Sequence, residues 1–446
     1  MIFIAPRYIV IDDKEDHLRA IMNTFQQLGT SCVGLHYNQE NDPDANLFRG
    51  VRCLFIDLHL IDGQVSTDEK RHFALIANIL EENIHENGGP FILIIWTEHP
   101  QHANDLHKYL DDNLDKKKPY THPLTVLSLD KTSFIDVDNG IPTNTEALKN
   151  AVNEAITTNP QLAALVNWEL DVLKAAGDTL VSLMSLIPLE NKNSTSFSPS
   201  IDGLLSKLAR EAVGPTNIKA DSRAALNRAL APILNDRIIN QPVEKSVREL
   251  WEKAITKHSD STPPTVNLHN AAQINRMLHI ANKDFEAILP TDWGAVVECP
   301  FKDNDVDFQN IFGITKNNLF ESEFKIKSEL IKECKLKLVR IGAACDYAQN
   351  NTGPISYLLA AEIPENSTKK GKNTSPAIWK SPLLLLEDAQ VPMYLYVHQR
   401  FPYTVLENNA SNFTPTYRIR EQMLMNLISS TSNYASRPGM LSIQIN

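Results

Sequence analysis

An apolar run that ends abruptly in one acid constrains this chain more than any other stretch. Val51, Cys53, Leu54, Phe55 and Ile56 form a nearly unbroken hydrophobic segment, and Asp57 closes it. A central strand of a parallel sheet reads this way, because helices cover both of its faces. Open α/β sheets place their chemistry outside the carboxyl ends of their strands, where the Asp57 carboxylate would stand.

The flanking segments repeat the theme. Residues 7–13, RYIVIDD, read as a strand ending in Asp12 and Asp13. Leu18, Ile21, Met22, Phe25 and Leu28 then recur at helical spacing, and Gly29 is placed to stop the helix. A second strand spans 31–37. Beyond the Asp57 strand, Phe73, Ile76, Ile79 and Leu80 mark a helix, and residues 88–97 give a fourth strand ending at Thr97. A polar helix over 101–114 leads to a fifth strand, 123–131, ending at Lys131. Thr143 and Glu146 have capping-box spacing ahead of a helix carrying Leu148, Val152 and Ile156. Strands and helices alternating in this way predict a five-stranded, doubly wound parallel sheet.

In strand order 2-1-3-4-5, Asp12, Asp13, Asp57, Thr97 and Lys131 converge on one crevice at the switch point. Three facing carboxylates repel one another unless a hard divalent cation sits between them. Mg²⁺ suits the place, since it takes oxygen ligands and keeps waters that leave room for a phosphate. One carboxylate could then attack a phosphoryl group, with a lysine and a hydroxyl holding its oxygens. Taken singly, each residue has a plainer role. The two acids could cap a helix, Asp57 could be a turn residue, Thr97 a cap and Lys131 a solvated lysine. Independent caps have no reason to fall together at four strand ends of one series.

This constellation resembles the receiver domain of two-component response regulators, over residues 1–157 only. The resemblance implies a flavodoxin-like fold and a partner histidine kinase that phosphorylates Asp57. It implies Mg²⁺ held by Asp12, Asp13, Asp57 and the backbone carbonyl of His59, with Thr97 as switch hydroxyl and Lys131 pairing with the phosphate. The sequence departs from the family where Leu60 and Ile61 replace a Met-Pro pair, and Gly63 comes early. Ser128 stands at the aromatic switch position, Glu98 follows Thr97, and Thr132 replaces the proline after the lysine. The chemical set is complete; the altered positions belong to the read-out.

At 446 residues the chain exceeds one ordinary core. Residues 158–288 are expected to form an all-α domain, with Trp168 and Trp251 as core anchors. Residues 289–446 show short strands, WGAVVEC, KLKLVRIGAAC, ISYLLAAEI, PLLLL and MYLYVHQ, that predict a small β-barrel. A helix over about 417–430 and a final strand are expected to follow. Cys345 beside Asp346 invites a nucleophile reading, but a buried structural thiol is the simpler one.

Residues 1–150 hold 13 basic and 23 acidic side chains, so the net charge of -11 resides mainly there. The last third is mildly basic, which leaves nucleic acid open as a partner of residues 291–446. No apolar run approaches the roughly 20 residues of a membrane span, and the first residues read as a strand without a signal-peptide pattern. Five scattered cysteines without a CxxC pair predict a reducing, cytoplasmic setting. The leading expectation is a bacterial signalling protein that passes a phosphorylation signal through protein–protein contact with an effector or a second copy. By analogy with other receivers on orphan domains, it would serve a stress or anti-phage module. Two alternatives are a non-switching adaptor and an effector acting on nucleic acid through the last domain.

Overall fold

The computed structural model describes residues 6–27, 29–38, 44–61, 69–86, 88–137, 139, 141–157, 159–257, 264–281, 287–349, 353–369, 375–386 and 390–437. The chain divides into two compact units, Met1–Lys174 with Gln241–Thr256 and Ala175–Asn240 with Lys257–Asn446.

The first unit opens with strand β1 (Tyr8–Asp12), helix α1 (Glu15–Gln27) and strand β2 (Val33–His36). Strand β3 (Cys53–Ile56), helix α2 (Glu69–Asn83), strand β4 (Ile92–Thr97), helix α3 (Ala103–Asn113) and strand β5 (Val126–Asp130) follow. The sheet order is β2-β1-β3-β4-β5, and every neighbouring pair is parallel. After a small hairpin of β6 (Ile135–Asp136) and β7 (Ile141–Pro142) comes helix α4 (Thr145–Thr157). The expected five-stranded parallel sheet is therefore present.

Side chains alternate across a strand, so each strand feeds two cores. Ile9, Ile11, Leu54, Ile56, Leu93 and Ile95 pack with Phe73, Ile76 and Leu80 of α2 and Leu106 and Leu110 of α3. On the other face Val10, Phe55, Ile94 and Trp96 pack with Leu18, Ile21 and Phe25 of α1 and Leu148 and Val152 of α4. This double cover explains why β3 and β4 are apolar throughout and buried at every position.

Helix α5 (Pro160–Ser185) begins in the first unit, where Glu169 takes two arginines at the amino edge of the sheet. Arg52 donates Nε to Oε2 at 2.7 Å and Nη2 to Oε1 at 2.9 Å, and Arg7 adds a bond of 3.1 Å. The hydrogen bonds from Arg52, joined by Arg7, hold the Glu169 carboxyl below its ordinary value although partial burial opposes this. Glu169→Ala is expected to cost about 1.5 kcal/mol, the scale of charged hydrogen bonds, read as a lower urea midpoint. Trp168, expected in the core, is 53% exposed, as are Leu165, Leu170 and Leu173 to similar degrees. The helix carries apolar side chains around more of its circumference than its packed face, with Leu162, Ala163 and Ala164, can use.

Helices α6 (Phe197–Val213) and α7 (Ser222–Asn240) belong to the second unit, α8 (Lys245–Ala254) to the first, and α9 (Leu268–His279) to the second. Trp251, on α8, is half-buried. The second unit is built on a curled sheet of β8 (Ile280–Ala281), β9 (Ala295–Glu298), β10 (Lys335–Ile341), β11 (Ile355–Pro364), β12 (Ile378–Lys380), β13 (Met393–Val405) and β14 (Pro415–Ile419). Its order is β12-β13-β11-β10-β9-β14-β8, with all pairs antiparallel. It is a half-barrel, and among the described residues its edges β12 and β8 do not pair with each other. The closing helix Glu421–Ala435 packs Met423, Leu424 and Leu427 on one face. Phe308, Phe312, Phe320 and Phe324 fill the other. Lys337, buried on β10, meets Glu298 on β9 at 2.5 Å and Glu362 on β11 at 3.5 Å, so its charge is paired across three strands.

Three expectations need correction here. The late helix starts at Glu421, because Tyr417 and Ile419 are buried on alternate positions of β14 and the segment pairs with β9 and β8. Of the PLLLL stretch only Leu384 bridges, to Met393. The AAC segment after β10 enters a short helix, Ala344–Ala348, which leaves Cys345 exposed rather than buried. The expected final strand falls outside the described residues, as does Gly63.

Candidate functional site

The parallel register decides which residues meet. Ile11 stands beside Ile56, and Ile56 beside Ile95, so Asp12, Asp57 and Trp96 come level at the carboxyl edge. Thr97 is opposite Asp130, the last residue of β5, which puts Lys131 one step beyond the sheet. Asp57 is held in line by its own N–H, which donates to the Ile11 carbonyl at 2.9 Å.

Lys131 is the centre of the cluster. Its ammonium donates to Asp12 Oδ2 at 2.7 Å and to Asp57 Oδ2 at 2.6 Å. All three side chains are almost wholly buried. One oxygen each from Asp12, Asp13 and Asp57 lies within 4.8 Å of the others. Asp12 Oδ1 also accepts the Lys14 N–H at 3.0 Å, and Asp57 Oδ1 has a long contact of 3.4 Å with the His59 N–H.

Two buried carboxylates, Asp12 and Asp57, share one ammonium, and half-buried Asp13 adds a third acid close by. Burial, with the neighbouring Asp12 charge, pushes the Asp57 carboxyl above its ordinary value, although Lys131 opposes the shift. Burial works against the Lys131 charge too, but Asp57 and Asp12 outweigh it and hold the ammonium above its usual value. A cluster of three carboxylate oxygen donors fits a hard divalent cation such as Mg²⁺. Asp12, Asp13 and Asp57 are the side chains available to hold it.

Thr97 shares the edge but not the ion-pair cluster. It is buried, and its hydroxyl accepts the His99 N–H at 3.1 Å. Glu98 is exposed and lies 3.7 Å from Lys14. The His59 imidazole reaches Glu69 at 3.3 Å. Ser128 is half-buried on β5 beside Ile95. In place of a proline after the lysine, Asp130 accepts from Thr132 N–H at 3.0 Å and from its hydroxyl at 2.7 Å, so a side-chain cap fixes the turn that carries Lys131.

His17 is a site residue that sequence reasoning missed. It is buried on α1, with Nε2 at 2.9 Å from the Val137 carbonyl and Nδ1 at 3.4 Å from the Lys131 ammonium. A carbonyl only accepts, so Nε2 carries the proton and Nδ1 is left to accept from Lys131. In sequence it looked like one more residue on a helix face.

The described residues contain no helix long and apolar enough to cross a membrane. No protein-family model matches the sequence, and no curated protein matches it. Among solved structures the chain is similar to the response regulator StyR, at 14% identity over 56% of this chain and 100% of that one, with a TM-score of 0.17.

Proposed function

We propose that residues 1–157, within the first unit, are a receiver-type phospho-acceptor of flavodoxin-like fold, and that residues 158–288 and 289–446 respond to it. The observation that carries this reading is the meeting of Asp12, Asp13 and Asp57 around Lys131 at the carboxyl edge of the sheet. Structural ion pairs perturb carboxylates too. A third acid beside such a pair adds repulsion, and a bound cation would relieve it.

In the proposed reaction an Asp57 carboxylate oxygen attacks phosphorus while the bond to the donor, a phosphohistidine nitrogen of a partner kinase, breaks. The N–P electron pair stays on the ring, whose other nitrogen carries a proton in the donor, so the products are an acyl phosphate on Asp57 and a neutral imidazole on the kinase. Mg²⁺ held by Asp12, Asp13, Asp57 and the His59 carbonyl would neutralise the phosphoryl oxygens. Lys131 would exchange its Asp57 contact for one with the phosphoryl group. The Thr97 hydroxyl accepts from the His99 N–H and keeps its own proton to donate to a phosphoryl oxygen.

The test is phosphoryl incorporation from acetyl phosphate with Mg²⁺, followed by intact mass. The full chain is expected to gain one phosphoryl group and Asp57→Asn none. A wild-type chain that gains none, from acetyl phosphate or from a partner kinase, would make the unit a constitutive adaptor.

A further inference from the structure

The second unit holds a cavity of about 290 Å³, lined by α6, α7, the end of β10 and the helix Ala344–Ala348. Its notable wall residue is Arg340, 8% exposed, whose Nε and Nη1 are buried without a hydrogen-bond partner. Buried guanidinium nitrogens without acceptors are costly, and burial holds Arg340 below the ordinary arginine value. The Tyr347 ring, 5.8 Å from its Cζ, and the Asp346 and Asp292 charges favour the cation, but Nε and Nη1 have no acceptor. A Cβ at Gly342 would come within 3.1 Å of Arg340 Nη1, and this glycine has a φ of +144°. Asp292, also buried, spends its carboxylate elsewhere, with Oδ1 accepting from Tyr347 Oη at 3.0 Å and Oδ2 from the Leu289 N–H at 2.7 Å. Arg228, exposed on α7 where it lines the same cavity, lies over the Tyr347 ring at 5.0 Å and donates Nη1 to the Ala348 carbonyl at 3.5 Å.

We infer that this cavity binds a small hydroxylated phosphomonoester, its phosphate on Arg340 and Arg228 and its hydroxyls toward the exposed carboxylates of Asp221 and Asp346. Nε and Nη1 of Arg340 are fixed donors without an acceptor, and their geometry matches an oxyanion. The exposed carboxylates are acceptors, and hydroxyl groups are the donors that suit them beside a phosphate. The volume is at the lower end for small-molecule sites, which fits a sugar phosphate. Tyr347 is already faced by Arg228, so it offers no open ring on which a base could stack.

Calorimetry and thermal melts of the full chain with ribose 5-phosphate, AMP and inorganic phosphate test this. Ribose 5-phosphate is expected to bind and raise Tm, with inorganic phosphate weaker. AMP binding equally well supports the same recognition, since it carries the same phosphorylated sugar. Arg340→Met is expected to weaken ribose 5-phosphate about 100-fold or more. Its ligand-free Tm is expected to stay close to that of wild type, because two buried N–H groups without acceptors have been replaced by an apolar side chain. If Arg340→Met does not fold, Arg228→Gln decides, with about a fivefold loss expected and unchanged affinity overturning the site. Absence of binding by both phosphate esters at millimolar concentration, or equal affinity in Arg340→Met, also overturns it.

Discussion

Lys131→Met is expected to destabilise the first unit by about 3–5 kcal/mol at neutral pH, the cost of stripping a buried charge of its partner. Methionine has nearly the length of lysine, so packing changes little. Electrostatics changes a great deal, since Asp12 and Asp57 lose donors at 2.7 and 2.6 Å with almost no access to water. Urea unfolding at neutral and mildly acid pH separates the causes. The deficit should shrink in acid, because the raised Asp57 carboxyl takes up its proton earlier than an ordinary aspartate and so sheds the uncompensated charge. A deficit that stays constant with pH would make Lys131 a packing residue.

A divalent cation should act in the opposite sense. The folded Asp57 carboxyl is raised above its unfolded value, so folding favours its protonated form. Its contribution is fully present below the ordinary carboxylate range and is lost as pH rises through the raised value. Mg²⁺ binds the ionised set, so its benefit appears as that intrinsic contribution is lost. At a hundredfold excess over its Kd it should add about 2.7 kcal/mol, and the gain should fade as pH drops through the raised Asp57 value. Thermal melts with and without Mg²⁺ across a pH series measure this, and Asp13→Asn should remove most of the gain. A gain that survives in both Asp13→Asn and Asp57→Asn would locate the cation elsewhere in the chain.

The acids and the lysine were legible because strand ends in a parallel sheet share one edge, so sequence order alone brings Asp12, Asp57 and Lys131 together. His17 was not, since one buried histidine on an amphipathic helix carries no mark of what it faces. The Glu169 clamp was equally hidden, because its partners are 117 and 162 residues away and long-range ion pairs leave no local period. Tyr417 was assigned to a helix because Leu424, Leu427 and Ile428 follow at helical spacing, whereas only the burial alternation of β14 marks the strand. Arg340 was lost inside an apolar run, where a single charge reads as a solvent-facing residue until its surroundings are known. The exposed stripe on α5 erred the other way, since periodicity reports that a face is apolar and not that anything covers it.

Strand β3 has an arginine before it and an aspartate after it. Arg52 grips Glu169 and also donates to the Gly88 carbonyl at 2.6 Å, while Asp57 grips Lys131. Between them lie four fully buried residues with no slack, a span of about 16 Å at the rise of an extended chain. The strand is thus a tie rod bolted by charge at both ends. Whatever draws on the Asp57 end loads a short, stiff member whose other anchor is a helix, and the first place to look for strain is the Arg52–Glu169 bolt.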